Sequence, residues 1–413
     1  MNELFRRWCA RIALALVAAL AVVSWSSPAR AYAGMIRHEY TSCAQCHADP
    51  SGGGLLTPYG RAQGEILLRS HYGAVAEDEE PGKLAEFAFG VVPLPEQLLL
   101  GADYRLAYLS TRFSGTTTSR FIQMQADLEG QLTVDRFRAA GSIGYDHSGA
   151  QAAAITQRAL DNVVSRVHWA GMDLGEDRQF LLRAGRMNLP YGVRSVEHTM
   201  FIHSDTHTDL NAAQQHGVAL AYNGAGLRAE GMVVLGNYQV SPDAYRERGY
   251  SGYVEWAPSI RAAVGASSLL TYASRGFYTF PRASTLRQAH GVFGRVVLVK
   301  PLVLLAEADL LVSSYPGTDA KTNAGYATMV QGDLEVWQGL HFMLTGELAN
   351  PTPSTASTSL GGWASAAWFF APHADLRTDL IFQQLGNAPG PVAVALPSAV
   401  SAFTFLTQIH VYL

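Results

Sequence analysis

Chemistry in this chain is concentrated at Cys43, Cys46 and His47, where two residues separate the cysteines and the histidine follows directly. This C-x-x-C-H spacing is the attachment signature of a c-type haem. The thiols add across the two vinyl groups of the porphyrin, and the histidine binds the iron. The remaining cysteine is Cys9, near the start of the chain. The pattern predicts one covalent haem c, and a disulfide between Cys43 and Cys46 is the alternative.

The residues after the motif are typical of a small haem-binding segment. Glycines at 52–54 let the backbone approach a porphyrin closely, and Pro58 begins a predicted helix that runs to about Ser70. Arg61 on that helix is a candidate partner for a haem propionate. The other interpretation of Arg61 is an ordinary solvated charge on the helix surface.

The ligand opposite His47 is not determined by the motif. We expect His38 or His71, because both lie in the same short segment, and Met35 is a further candidate there. An open sixth position would instead permit small-ligand chemistry, as in a peroxidase. If the segment enters a lumen, side chains of a later loop also become candidates: Met200, His198, His203 and His207.

The chain divides into four zones. Residues 1–33 have the form of a secretory signal peptide, with an arginine-rich start, an apolar run and Ala31-Tyr32-Ala33 as the cleavage site. The mature chain is then expected to begin near Gly34 and to be exported. It comprises a monohaem segment at 34–73, an acidic and proline-containing linker at 74–96, and a long β region at 97–413.

The β region alternates apolar and polar residues along many segments. The segment at 302–312, for example, places Leu304 and Leu310 on one face and Glu307 and Asp309 on the other. Period-two alternation indicates a sheet with one apolar and one polar face. Segments of about 9–14 residues are long enough for a tilted bilayer crossing. Charged residues in mid-segment favour a wet lumen over the packed core of a soluble β-sandwich.

These features predict an all-β protein: a transmembrane antiparallel β-barrel of about 16 strands with a small N-terminal helical c-type haem segment. The final segment alternates to its end at Leu413, as in the terminal strand by which outer-membrane barrels are recognised for insertion. About forty residues are too few to enclose a haem alone. We therefore expect the haem segment to pack against the barrel or to plug its lumen.

One long connection, between Leu189 and Gln214, lacks this alternation. It either folds into the lumen as a constriction or caps one rim. Its imidazole and carboxylate groups suit first-row divalent metals, but their spacing matches no ligand motif, which favours a polar lumen loop. The residues concerned are His198, His203, Asp205 and His207.

The charge balance excludes one class of partner. Lys and Arg number 30 and Asp and Glu 34, so the formal net charge is −4. A chain without a basic field is not expected to bind nucleic acid. The expected environment is the lipid of a Gram-negative outer membrane, with the haem segment in the periplasm or inside the lumen.

In architecture the chain resembles the fused outer-membrane monohaem cytochrome–porins of iron-oxidising bacteria. Cys43, Cys46, His47 and the stretch from Pro50 to Arg61 carry the resemblance. It implies haem linkage through both cysteines and axial ligation by His47. It also implies oxidation of extracellular Fe(II), with electrons passed to periplasmic cytochromes.

Two principal functions follow from these observations. The first is electron transfer between an extracellular donor or acceptor and a periplasmic electron-carrier cytochrome. If the donor is Fe(II), this function includes Fe(II)-oxidising activity. The second is a porin or channel in which the haem segment serves as a plug, gate or sensor. A haem enzyme is a third hypothesis, and it needs an open coordination position on the iron.

Overall fold

The computed structural model describes residues 34–72, 83–145, 163–195, 197, 199–210, 213–224, 226–277, 282–353, 358–386 and 400–413. The expected signal peptide, His198 and part of the expected linker lie outside these ranges. Across the described ranges, no helix combines the length and the apolar character that a membrane crossing requires.

The described strands form one closed antiparallel sheet of seventeen segments. β4 and β5 both pair with β3, so they count as one crossing and the barrel has sixteen, as predicted. β1 closes the barrel by pairing with β17 from Asp103 opposite Tyr412 to Phe113 opposite Ala402. The strands are β1 Leu98–Phe113, β2 Thr116–Val134, β3 Phe137–Tyr145, β4 Val163–Val164, β5 His168–Leu174, β6 Phe180–Met187, β7 Gln215–Gly224, β8 Leu227–Gly236, β9 Arg248–Ser259, β10 Ala262–Ala273, β11 Thr285–Val299, β12 Leu302–Ser314, β13 Asn323–Trp337, β14 Leu340–Asn350, β15 Ser359–Ala371, β16 Ala374–Leu385 and β17 Val400–Tyr412.

The outer face of the barrel is apolar and its inner face is polar. Leu310 is 51% exposed, whereas its neighbour Asp309 is 3% exposed, and the same inversion holds for Leu344 and Thr345. Soluble proteins bury the apolar member of such a pair instead. The two faces predicted from period-two alternation are therefore confirmed, because strand geometry sends successive side chains to opposite sides.

The two rims of the barrel differ in their connections. At one rim, which we call the short-turn rim, strands are joined over two to five residues, as at 300–301 and 338–339. At the opposite rim the connections are longer, apart from the two-residue turn at 114–115. Short turns on one side and long loops on the other are usual in outer-membrane barrels.

Two irregular segments fill the lumen. The plug, residues 34–72, enters from the short-turn rim, where Arg37 donates to the Pro301 carbonyl at 3.2 Å and Ser70 to that of Gln338 at 3.0 Å. The constriction loop, by which we mean the described residues of 188–214, enters from the long-loop rim. Ile36 of the plug and Val193 of the loop belong to one apolar cluster with wall residues. Residues 34–72 and the described part of 188–214 thus both lie in the lumen, and a haem in the plug stays a prediction.

The helices lie in these two segments. α1, Pro58–Gln63, begins with proline at its first turn, and the Thr57 side chain accepts from the Gly60 N–H. A π-helical turn, Gly64–Leu68, continues it, so the helix predicted to run to about Ser70 ends at Leu68. α2, Phe201–Thr206, lies in the constriction loop. Five 3₁₀ turns complete the described elements: Gly34–His38, Cys43–Gln45, Lys83–Ala85, Phe87–Gly90 and Asp243–Tyr245.

Candidate haem site in the barrel lumen

The C-x-x-C-H motif forms one compact turn. The backbone N–H groups of Cys46 and His47 both donate to the Cys43 carbonyl, at 3.1 and 3.0 Å. His47 then pairs with Leu56 in an antiparallel bridge, and the Thr57 N–H donates to the Cys46 carbonyl at 2.9 Å. The turn is thus closed by the chain that leads into α1.

Two glycines make this packing possible. A Cβ at Gly60 would lie 2.2 Å from the Cys46 carbonyl oxygen, so α1 can approach the motif only with glycine there. Gly52 has a φ of +98°, and a Cβ on it would lie 3.1 Å from the Cys43 sulfur. Both positions keep space around the cysteines that a larger residue would fill.

His47 has one ring nitrogen held by the backbone of the plug. Its Nδ1–H donates to the Gly54 carbonyl at 3.3 Å, which leaves Nε2 without a proton in the neutral ring. Burial lowers the pKa of His47 below its usual value, although contacts with Gly54 and Asp49 oppose this effect. A neutral imidazole whose second nitrogen is held by a carbonyl is the usual form of a metal-ligating histidine.

Both thiols are free and buried, and they line the same cavity as His47. Burial, together with the neighbouring Cys43, raises the pKa of Cys46 to about 11. The cavity has a volume of about 400 Å³, within the range of roughly 300–1,000 Å³ for ligand pockets. Two thiols, an oriented imidazole and glycine-lined space in one cavity fit a haem c attached through Cys43 and Cys46.

The barrel wall contacts the motif through arginines. Arg228 of β8 donates to the Cys43 sulfur at 2.8 Å, and Arg295 of β11 donates to the Thr41 carbonyl at 2.7 Å. Arg183 of β6 pairs with Asp49 at 3.3 Å. Burial raises the pKa of Asp49, but the charges of Arg183 and Arg194 outweigh it and hold this pKa below its usual value. These wall arginines therefore hold the attachment turn by one ion pair and two hydrogen bonds.

Arg61 is buried and not solvated, so the surface-charge interpretation is wrong. Its guanidinium donates to the carbonyls of Leu100 in β1 and of Leu413 directly after β17, where the barrel closes. Its centre also lies 5.7 Å from the centre of the Phe87 ring. Burial lowers the pKa of Arg61. Arg61 lines the haem-site cavity, and its predicted contact with a propionate stays a prediction.

The predicted distal ligands lie elsewhere in the plug. Among the described residues that line the cavity, neither His38 nor His71 appears, whereas Met35 and Met200 do. His38 Nε2 is 3.6 Å from Glu335 at the short-turn rim, and burial lowers the pKa of His38. His38 and His71 as iron ligands therefore stay predictions without a supporting contact.

Sequence reasoning missed three wall histidines that line the cavity: His341, His373 and His410. Asp333 accepts from His341 at 3.0 Å and Asp375 from His410 at 2.8 Å. The alternation of the last strand places His410 between outward-facing Ile409 and Val411, and this signal assigns it to the lumen. His373 lies in a turn, where alternation carries no such information.

The constriction loop does not assemble a metal site within the described residues, where no group of three or more His, Cys, Asp or Glu is placed to hold an ion. His203 and Asp205 lie on α2 and His207 follows it. Burial raises the pKa of Asp205 to about 6, and burial with the charge of Arg287 lowers that of His207 to about 3. The choice between a polar loop and a metal site at these residues stays a prediction.

Comparison with known proteins identifies the fold. No protein-family model and no curated protein matches the chain. Among solved structures it is similar to OmpT of Vibrio cholerae, with 12% identity, a TM-score of 0.58 and coverage of 78% of this chain and 100% of that one. The anion-selective porin from Comamonas acidovorans is 10% identical, with a TM-score of 0.56 and coverage of 76% of this chain and 99% of that one. Pseudomonas putida OprB is 10% identical, with a TM-score of 0.53 and coverage of 81% of this chain and 98% of that one. The chain therefore has the sixteen-stranded barrel fold of outer-membrane porins.

Proposed function

We propose that this chain is an outer-membrane electron-transfer protein whose barrel encloses a haem c bound through Cys43, Cys46 and His47. One observation carries the proposal: the cysteines and the histidine of the attachment motif line one cavity inside the barrel, and the Gly54 carbonyl holds Nδ1 of His47. A haem bound there supplies one-electron redox chemistry. The protein contributes position, burial and charge.

The direction of the plug supports a periplasmic contact. Short turns face the periplasm in bacterial barrels, and the plug enters at the short-turn rim. A periplasmic electron-carrier cytochrome can therefore approach the haem segment from that side. An extracellular donor or acceptor, Fe(II) in the resemblance, approaches from the long-loop rim. The constriction loop lies between that rim and the motif.

The proposal is tested by expressing the full chain with the haem-maturation machinery. We expect a c-type absorption spectrum, haem that stays attached in denaturant, and reduction by ferrous iron or another outer donor. The double variant Cys43→Ala/Cys46→Ala should lose covalent haem, and Cys9→Ala should keep it. Folded protein recovered from the outer membrane without covalent haem would end the proposal.

The location of the barrel is tested with neighbouring residues of β14 that face opposite sides. Leu344 is 70% exposed on the outer face, and Thr345 is buried on the inner face. Arginine on the lipid face of a barrel costs about 2–4 kcal/mol near the bilayer midplane. Leu344→Arg should therefore reduce the yield of folded protein in lipid vesicles more than in detergent. Thr345→Arg should show no such preference for detergent.

A channel with a plug is the second candidate, and the porin fold favours it. The structure also bears on this function, because the two lumen segments touch: Arg194 of the loop donates to Ser51 of the plug at 2.8 Å. We expect low ion conductance in planar bilayers for the intact protein. Wide conductance that is indifferent to haem loss would favour the channel.

A further inference from the structure

Three buried charged side chains form a continuous group on the lumen wall. We call Arg228 of β8, Glu255 of β9 and Arg295 of β11 the cationic clamp. Glu255 accepts from both guanidiniums, one on each carboxylate oxygen. The three side chains are 10%, 3% and 3% exposed. Two cations share one anion, so the clamp has a net charge of about +1 at neutral pH.

The clamp faces the haem-attachment turn. Arg228 donates to the Cys43 sulfur at 2.8 Å, and its guanidinium carbon lies 5.2 Å from the centre of the Tyr253 ring. Arg295 donates to the Thr41 carbonyl at 2.7 Å. The clamp therefore contacts the attachment turn at two points, at Cys43 and two residues before it. In the haem-loaded protein the Cys43 sulfur is a thioether, which is still a weak acceptor.

The neighbouring charges do not cancel the clamp. Arg183 pairs with both Asp49 and Glu230, and Arg194 adds a second positive charge close to Asp49. This adjacent group contains two charges of each sign. The excess positive charge on this side of the motif therefore comes from the clamp itself.

We propose that the cationic clamp raises the reduction potential of the haem from the barrel wall, an inference that rests on the proposed function. Ferric haem carries one more positive charge than ferrous haem, so a nearby buried cation disfavours the oxidised form. Salt screens buried charges less than exposed ones, so the effect should persist at high ionic strength. Arg228 and Arg295 act by their charge from the wall in this proposal, and neither is a ligand of the iron.

Removing charges of opposite sign tests the clamp. The wild-type chain and the variants Arg228→Gln and Glu255→Gln are each produced at full length with covalent haem. The midpoint potential of each protein is measured by spectroelectrochemistry. We expect Arg228→Gln to lower the midpoint potential by ~59 mV, which corresponds to a tenfold change in the equilibrium constant of the one-electron reduction. Glu255→Gln should raise it by a similar amount. Looser packing that admits water would move both variants in the same direction.

Three further variants complete the test. Arg228→Lys keeps the charge and should hold the potential close to that of wild type. Arg295→Gln keeps the Arg228 contact with Cys43 and should lower the potential by a smaller amount. Arg287→Gln is the matched control, because Arg287 is a buried arginine paired with Glu247 beside the constriction loop. It should change the potential least.

The outcomes separate the two proposals. Absence of covalent haem from the wild-type chain overturns the proposed function and the clamp together. Covalent haem with shifts of the same sign in Arg228→Gln and Glu255→Gln, or with no shift in either, overturns the clamp alone. Opposite shifts with recovery in Arg228→Lys support it.

Discussion

The plug and the constriction loop enter the same lumen from opposite rims, and the wall contacts the haem-attachment turn and the start of the loop through different groups. Arginines of the wall contact the plug: Arg183 at Asp49 and Arg228 at Cys43. Carboxylates of the wall hold the loop. Glu307 accepts from the Val193 N–H and Asp309 from the Tyr191 hydroxyl, both at 2.8 Å.

This difference follows from what each segment leaves unpaired. The loop and the first turn of α2 present backbone N–H groups, which need acceptors when they are buried. The haem-attachment turn presents carbonyls, a carboxylate and thiols, which need donors. The wall therefore supplies donors around this turn and acceptors around Tyr191 and Val193. Elsewhere the two kinds of group are mixed, since Arg37 of the plug pairs with Asp333 and Glu197 of the loop with Arg377.

The largest expected effect is loss of a loop acceptor. Glu347 accepts from the Phe201 N–H and from the Trp363 indole, each at 2.7 Å. Glu347→Leu leaves two buried donors unsatisfied, which should lower the free energy of unfolding by about 3 kcal/mol. Glu347→Gln keeps one acceptor oxygen and should lose less. Hydrogen exchange should rise at 199–208 and not at 43–60. Equal increases in hydrogen exchange in both segments would contradict the idea that the plug and the loop are anchored independently of each other.

Two glycines of the plug provide the corresponding test for that segment. Gly60→Ala forces a Cβ against the Cys46 carbonyl and should lower the free energy of unfolding by about 2 kcal/mol, with faster exchange at 43–60. Gly64 has no atom within 4 Å of its Cβ position. Gly64→Ala should therefore be neutral or slightly stabilising, because alanine favours helix. If both variants lose stability equally, the close approach at Gly60 is not the cause.

The pH dependence of the loop should contain two opposing contributions. Burial raises the pKa of Asp205 to about 6, so its folded form binds a proton more tightly and its contribution to stability falls between pH 4 and 6. Burial and Arg287 lower the pKa of His207 to about 3, so its contribution rises over the same interval.

Single variants should separate these contributions. In Asp205→Asn, urea denaturation should show stability that increases from pH 4 to 6 by about 1 kcal/mol more than in wild type. In His207→Asn it should decrease relative to wild type over the same range, and asparagine tolerates the left-handed backbone at that position. Slopes that change in the same direction in both variants would refute the assignment.

The smallest expected effect concerns the contact between the two segments. Arg194→Met removes the donation to Ser51 and should cost about 1 kcal/mol. In a double-mutant cycle with Ser51→Ala, a positive coupling energy measures this contact alone. Additive losses would mean that this hydrogen bond does not couple the two segments.

The chemistry of the motif and the faces of the strands were predictable because both are local. C-x-x-C-H is complete within five residues, and period-two alternation separates Asp309 from Leu310 without knowledge of any partner strand. The start of α1 followed in the same way from Pro58. Barrel closure was predictable because an open sheet edge would leave backbone hydrogen-bonding groups without partners in lipid.

Only the tertiary structure decided which residues surround the motif. Arg228 lies 185 positions from Cys43, and Arg61 lies 352 positions from Leu413, yet each pair is in contact. Such contacts depend on strand register, on barrel closure and on the depth to which the plug enters. No local pattern contains these quantities. Arg61 is therefore a buried link between the ends of the closing strands. The sequence alone had also allowed a solvated charge on the helix surface.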